Sequence, residues 1–109
     1  MKDIEVIYAE ETKKVKLDPK GFFVIFIKDE NINVEHYRNV NKGGKLGVET
    51  GELNVIIKGR SAKAICDTII RKELISRLDH MAYVSRELQK AEIALTTGTE
   101  YEQSRPLEL

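Results

Sequence analysis

The hydrophobic pattern of this chain changes its period about halfway along, and that change constrains the fold more than any other feature. Up to about residue 58, apolar side chains recur at every second position or fill short runs, as in β-strands. From Ser61 onward they recur at intervals of three and four, as in amphipathic helices. Strands followed by helices predict an α+β domain, in which two C-terminal helices pack on one face of an antiparallel β-sheet.

The first half contains three clear strand patterns and two weaker ones. Phe22 to Lys28 is apolar on both faces, which predicts a central strand covered on both sides. Ile32 to Arg38 alternates, and it is predicted to form a hairpin with the first strand. The third clear pattern is Leu53 to Lys58, and the two weaker ones are Ile4 to Tyr8 and Lys13 to Leu17.

Two connections in this half are rich in turn residues. Asp18-Pro19-Lys20-Gly21 predicts a tight turn, because Pro presets one dihedral and Gly accepts a positive φ. Asn39 to Gly51 contains four glycines and is predicted to be a long loop that is mobile, functional or ordered by a partner. Its stretch 42–47 superficially resembles a phosphate-binding loop. The Gly-Lys pair is followed by Leu46 instead of Ser or Thr, which favours a plain flexible loop.

Two helices are predicted in the second half. Ser61 is a good N-cap for a helix that runs to about Glu73. A second helix is predicted to start near Ser76 or Asp79, whose spacing is close to a capping box, and to stop at Gly98. The apolar stripe of the first helix is Ala62, Ile65, Cys66, Ile69 and Ile70, and that of the second is Met81, Val84, Leu88, Ala91 and Leu95.

Length and composition exclude several classes of protein. The 109 residues are predicted to form one domain, 1–109. Lys plus Arg and Asp plus Glu both number 18, and this balance argues against a nucleic-acid binder and a polybasic membrane-surface protein. The longest apolar run is six residues, whereas a membrane helix needs about 20. A single cysteine, Cys66, and no apolar leader predict a cytoplasmic protein. Cys66 lies on the buried stripe, which favours a core residue over a nucleophile.

The first candidate site is the junction between the third strand and the first helix. A helix N-terminus carries partial positive charge, and Lys58 and Arg60 add full charges. With Gly59 and Ser61 they would bind a small anion such as a phosphate or a carboxylate. The ordinary alternative is that Ser61 only caps the helix and that the cations are solvated, and this alternative is favoured.

The second candidate site lies near the start of the second helix and comprises Asp79, His80, Tyr83 and Glu87. Their spacing places the last three on one helix face. A His, a Tyr and a carboxylate in one row suit the recognition of a heterocycle. They also suit proton transfer, with His80 as general acid or base and Glu87 orienting it. The alternative is a polar flank in which Glu87 pairs with a neighbouring cation.

The third candidate is His36, which falls on the same strand face as Ile32 and Val34. It would approach His80 if the second helix covered that face. Two histidines and a carboxylate would satisfy the ligand count of a metal ion. The sequence contains no metal-ligand spacing, however, so no metal is predicted.

Several stretches of the chain resemble a small uncharacterised domain family of archaea and bacteria, and together they cover most of the chain after residue 16. They are Leu17-Asp18-Pro19-Lys20-Gly21-Phe22-Phe23, Val34-Glu35-His36-Tyr37, Ile57-Lys58-Gly59-Arg60-Ser61-Ala62, Ser76 to Tyr83, Arg86 to Leu95, and Tyr101 to Leu107. The family often occurs fused to domains that look like dihydropteroate synthase. Some members are labelled as related to one component of the tetrahydromethanopterin S-methyltransferase complex. The resemblance therefore implies a pterin or a corrinoid as cofactor, but it brings no catalytic residues.

Three functions stay open at this point. The first is a ligand-binding or accessory module of one-carbon metabolism that holds an anionic or heterocyclic ligand between 59–61 and 80–83. The second is a homo-oligomer, such as a dimer, or a partner of a dihydropteroate synthase-like protein, with Ile32 to Arg38 as an exposed edge strand. The third is a small enzyme that uses His80. The first two are compatible and are favoured jointly.

Overall fold

Three antiparallel strands followed by two helices make up residues 18–42 and 45–104, which are the residues that the computed structural model describes. The elements are β1 (Phe22–Lys28), β2 (Asn31–Lys42), β3 (Lys45–Gly59), α1 (Ala62–Arg71) and α2 (Leu78–Thr97). This order confirms the predicted α+β class. The two weaker strand predictions, Ile4 to Tyr8 and Lys13 to Leu17, lie outside the described residues.

The order of the described sheet is β1-β2-β3, so β2 lies in the middle. Two predictions are therefore wrong for these strands: β1 is not the central one, and β2 is not an exposed edge. Phe22 and Phe23 are both fully buried, so the apolar run of β1 reflects cover on both faces rather than a central position. The register pairs Phe23 with His36 and Val34 with Ile57, which places these side chains on one face.

The predicted loop from Asn39 to Gly51 is instead the outer part of the β2–β3 hairpin. Its strands pair Asn39 with Thr50 and Asn41 with Leu46, with register shifts between them. Asn and Gly are unfavourable in strands, so the composition pointed to a loop. Gly51 is needed here for a close approach, because a Cβ at this position would lie 2.1 Å from the carbonyl oxygen of Arg38. Gly43 and Gly44 lie outside the described residues.

The first helix begins as predicted and ends slightly earlier. Oγ of Ser61 accepts a hydrogen bond from the backbone N–H of Ala64, which confirms the predicted N-cap. The helix stops at Arg71, and Glu73 takes a positive φ of 53°. The predicted stripe is only partly correct. Ile70 is 61% exposed, since the buried face is the narrower one formed by Ala62, Ile65 and Ile69.

The second helix ends at Gly98, which adopts the left-handed conformation as predicted. Its start at Leu78 falls within the predicted region between Ser76 and Asp79, but the predicted cap is wrong. Arg77 occupies the N-cap position, and no side chain caps the helix there. The capping box between Ser76 and Asp79 does not form, because the amide and hydroxyl of Ser76 bond to Asp18 instead.

The core lies between one sheet face and the two helices. It is formed by Phe23, Ile25, Val34 and Ile57 from the sheet and by Ile65, Ile69, Val84 and Leu88 from the helices. Both helices therefore cover the same face of the sheet. In the part of the chain that the structure describes, neither helix combines the length and apolarity needed to cross a bilayer.

Candidate functional site

The carboxylate of Asp18 joins two segments that are far apart in the sequence. It accepts hydrogen bonds from the backbone N–H groups of Ser76 and Arg77, at 2.8 Å each, and from that of Lys20 at 2.9 Å. The hydroxyl of Ser76 donates a further bond of 3.2 Å. The turn before β1 is therefore fixed against the connection between the two helices.

The charge of Asp18 follows from these contacts. Burial raises the pKa of this carboxyl, but the neighbouring His80 side chain and the three backbone N–H groups lower it more. Together they hold the pKa of Asp18 well below its usual range. A fully buried anion therefore stands beside His80, whose Nδ1 lies 3.6 Å from the carboxylate.

Two buried histidines pack against the ring of Phe23. The ring centroids of His36 and His80 lie 4.8 and 5.8 Å from that of Phe23. The second helix thus brings His80 towards His36, as the strand pattern suggested. Nε2 of His36 and both ring nitrogens of His80 are buried without a hydrogen-bond partner. Such atoms are rare in folded proteins, because desolvation without a partner is costly.

The state of His36 can be assigned from its neighbours. Its Nδ1 lies 3.0 Å from Nδ2 of Asn54, whose Oδ1 accepts a bond from Arg38. Because an amide nitrogen only donates, Nδ1 is the acceptor and the neutral ring carries its proton on Nε2. Burial lowers the pKa of His36, while the Lys20 carbonyl and the Asp18 carboxylate oppose this lowering only in part.

A cavity of about 390 Å³ opens beside this histidine, and we call it the His36 cavity. The turn, the hairpin and the end of the first helix contribute polar side chains to it, which are Lys20, His36, Arg38, Asn39, Asn54, Lys72 and Glu73. Nδ2 of Asn39 donates to the carbonyl of Asp18, but its Oδ1 is buried without a partner. Oδ1 of Asn39 therefore lacks a partner among the described residues, and Nε2 of His36 makes no hydrogen bond of standard geometry, although the Lys20 carbonyl raises the pKa of the ring.

The predicted anion site at the strand–helix junction lies elsewhere. Gly59 pairs with Ile32, whereas His36 pairs with Val55, four residues away along β3. At the usual rise per residue the junction is about 13 Å from the histidine. The N-terminus of α1 has an anionic partner within the chain, since Ala62 donates its N–H to Glu92 at 2.6 Å. Lys58, Arg60 and Ser61 are exposed.

Tyr83 and Glu87, predicted to act with His80, contact the segment 101–104. The hydroxyl of Tyr83 donates to the carbonyl of Ser104 at 2.6 Å, although its ring also stacks on that of His80. The buried carboxylate of Glu87 accepts bonds from the Tyr101 hydroxyl at 2.8 Å and the Ser104 N–H at 2.9 Å. It also pairs with Lys90, as the polar-flank alternative stated. Asp79 pairs with Arg77 at the surface.

Asp18, Asn39 and Asn54 were not among the site residues predicted from the sequence. Asp18 matched a turn pattern, and its acceptor role depends on amides 58 and 59 residues away, for which no local signal exists. The two asparagines could have been found, because Asn is unfavourable within strands and its presence there indicates a role other than strand formation. Among residues 18–42 and 45–104, no group of three or more His, Cys, Asp or Glu could hold a metal ion.

Cys66 is half-buried and packs against the core. Burial raises the pKa of its thiol, which disfavours the reactive thiolate. This environment agrees with the prediction of a core residue.

Comparison with known proteins places these features in a family. Residues 17–104 match the model of the family described as PterinBD-DUF4346. An uncharacterised protein of Methanocaldococcus jannaschii is 38% identical over 101 residues, which are 93% of this chain and 18% of that protein. A Ycf91-like protein of Nostoc is 32% identical over 109 residues, with 84% and 86% of the two chains covered. The uncharacterised protein ycf91 of Porphyra purpurea is 35% identical over 106 residues, with 93% and 81% covered.

These matches confirm the resemblance to an uncharacterised domain family that includes archaeal and bacterial members. The chain spans less than a fifth of the archaeal relative but most of the length of the other two. No solved structure matches the chain. Fusion to dihydropteroate synthase-like domains stays a prediction.

Proposed function

We propose a function from one premise: this chain belongs to the PterinBD-DUF4346 family. The domain is a binding or accessory module for a pterin-type heterocycle, and the His36 cavity is the site. One observation carries this proposal. Polar side chains of His36, Asn39 and Asn54 converge on the cavity, and Nε2 of His36 and Oδ1 of Asn39 lie buried beside it without a hydrogen bond of standard geometry. A flat heterocycle with N–H donors and ring acceptors supplies the complementary groups.

The charge and size of the cavity support the same ligand class. Among the described residues that line it, Lys20, Arg38 and Lys72 outnumber the one acid, Glu73, which suits a ligand with an anionic substituent. A volume of about 390 Å³ suits a two-ring pterin better than the macrocycle of a corrinoid.

The arrangement supports binding more than catalysis. In the described part of the chain, His80 contacts Asp18, while Glu87 is engaged by Tyr101 and Ser104. The acid–base pair of His80 and Glu87 is therefore not assembled. An accessory role agrees with the archaeal relative, in which the matching segment is 18% of a longer chain. A second copy of this chain, or a dihydropteroate synthase-like protein, would act beside the module.

A fluorescence titration with pterin-6-carboxylate tests the proposal. We expect saturable quenching, and we expect Arg38→Ala or Asn54→Ala to weaken binding about tenfold through loss of polar contacts. Arg71→Ala is the matched control, because Arg71 is exposed on the first helix and does not line the cavity. The proposal fails if the wild type does not bind at millimolar concentration. It also fails if cobinamide binds and the pterin does not, or if all three variants behave alike.

A further inference from the structure

A second cavity adjoins the first. Its volume is about 440 Å³, and we call it the Leu78 cavity. Lys20 and Glu73 line both cavities, so the two spaces lie on either side of these side chains. The rest of its lining is mainly apolar and includes Ile69, Ile70, Ile75, Leu78 and Met81.

The apolar lining of this cavity is unusually exposed. Leu78 is 90% exposed and Ile70 is 61% exposed, although both are large aliphatic side chains. Neighbouring exposed apolar side chains that rim a concave surface mark a binding site more often than isolated ones do. Ile93, which is 63% exposed on α2, lines neither of these two cavities and is such an isolated residue.

We propose that the Leu78 cavity is a subsite for an apolar aryl extension of the heterocycle that occupies the His36 cavity. This inference rests on the proposed function and narrows the ligand to a pterin that carries an aromatic arm. The polar cavity takes the ring system, and the arm passes Lys20 and Glu73 to lie on Ile70 and Leu78. Each cavity alone falls near the lower end of the range for small-molecule sites, and an extended ligand would use both.

One carboxylate holds the backbone beside both cavities, which favours one extended ligand over two separate ones. Asp18 accepts the N–H of Lys20 on one side and the N–H groups of Ser76 and Arg77 on the other. The same carboxylate therefore fixes the turn that contributes to both cavities and the segment that contributes to the second. A backbone that is fixed before binding lowers the entropy cost of binding a ligand that contacts both spaces.

Two probes that differ in the arm test this inference. Pterin-6-carboxylate has no arm, and pteroate carries a p-aminobenzoate arm with the same number of carboxylates. We expect the wild type to bind pteroate about tenfold more tightly than pterin-6-carboxylate, because the aromatic ring of the arm would be buried. The double variant Ile70→Ser/Leu78→Ser should lose this advantage and keep the Kd for pterin-6-carboxylate. Ile93→Ser, with matched chemistry and exposure, should keep both Kd values.

The outcomes separate this inference from the proposed function. If the wild type binds both probes equally, the subsite is refuted and the pterin site stands. If neither probe binds, both proposals fail. The double variant could instead differ from the wild type in its sedimentation coefficient while the ratio of the two Kd values stays the same. In that case Ile70 and Leu78 contact a second copy of the chain, and the subsite is refuted. All three side chains are exposed, so the substitutions leave the core intact.

Discussion

The carboxylate of Asp18 and the imidazole of His80 lie 3.6 Å apart, Oδ2 to Nδ1, and both side chains are buried. Asp18 belongs to the tight turn that precedes β1, and His80 lies near the N-terminus of helix α2. The same carboxylate also accepts the two N–H groups that precede that helix. Much of the geometry of the candidate site therefore depends on one residue that lies beside both cavities.

Replacement of Asp18 should destabilise the fold strongly. We expect Asp18→Ala to lower the free energy of unfolding by about 3 kcal/mol, because it removes a buried carboxylate and leaves three part-buried N–H groups without their acceptor. Asp67→Ala is the control, since that carboxylate is exposed and pairs with the exposed Lys63, and it should change stability by less than about 0.5 kcal/mol. Urea unfolding measures both, and equal effects of the two substitutions would contradict the assigned role.

Stability should fall as the pH drops below neutral, with a contribution from His36. Its pKa is lowered from 6.5 by burial, so below that value the unfolded chain binds a proton that the folded chain does not. The contribution of His36 to the free energy of unfolding is therefore fully present above pH 6.5 and is lost as the pH falls towards the pKa of His36 in the folded chain. Asp18 acts in the same direction, but only below about pH 4, where its unfolded form takes up a proton.

The variant His36→Asn tests this dependence, because its side-chain oxygen can still accept from Asn54. We expect the slope of unfolding free energy against pH, between pH 7.5 and 5.5, to be smaller in the variant than in the wild type. The absolute stability will fall with the loss of ring packing on Phe23, so the slope is the relevant measurement. An unchanged slope would show that His36 does not contribute.

The side chain of Gln103 should protect the edge of β1. Its Oε1 accepts the N–H of Ile25 at 2.9 Å, and its Nε2 donates to the carbonyl of Phe23 at 3.1 Å. Gln103→Ala should cost about 1 kcal/mol. It should also speed hydrogen exchange at the Ile25 amide, because this N–H loses its partner. Glu102→Ala, at an exposed neighbour, should leave that amide unchanged, and equal protection in both variants would count against the pairing.

Two glycines with positive φ should respond differently to alanine. At Gly21, φ is 130°, and a Cβ would lie 2.1 Å from the Tyr37 carbonyl oxygen and 2.8 Å from Nε2 of His36. At Gly98, φ is 72° and nothing lies within 4 Å. We expect Gly98→Ala to cost about 1 kcal/mol from backbone strain alone. Gly21→Ala should cost more than about 3 kcal/mol. Thermal unfolding that ranks them equally would contradict the packing at Gly21.

The sequence predicted the helices and strands well where a single capping residue or the spacing of apolar residues determines the local structure. The Ser61 cap and the Gly98 stop are confirmed, since each depends on the backbone within one turn. The predicted capping box at Ser76 does not form, because the Ser76 hydroxyl donates to Asp18, an acceptor that comes close only in the folded chain. The prediction of a loop at 39–51 was wrong, because pairing within the hairpin outweighs the low strand propensity of Asn and Gly.

The candidate site was predicted only in part. The sequence made the approach of His36 to His80 conditional on the second helix covering that strand face, and in the structure both rings pack on Phe23. The junction at 58–61 was grouped with them, but Gly59 lies four residues along β3 from Val55, the partner of His36, which separates the two positions by about 13 Å.

The sequence by itself determined the α+β class, the strand and helix identities and the family, because these depend on periodicity, local caps and the pattern of residues along the chain. Only the tertiary structure decided which polar groups meet. A buried carboxylate can accept an amide 58 residues away only after the sheet and helices have brought the two together. The same packing leaves His36 and Asn39 with buried polar atoms beside a cavity, and no period in the sequence records that outcome.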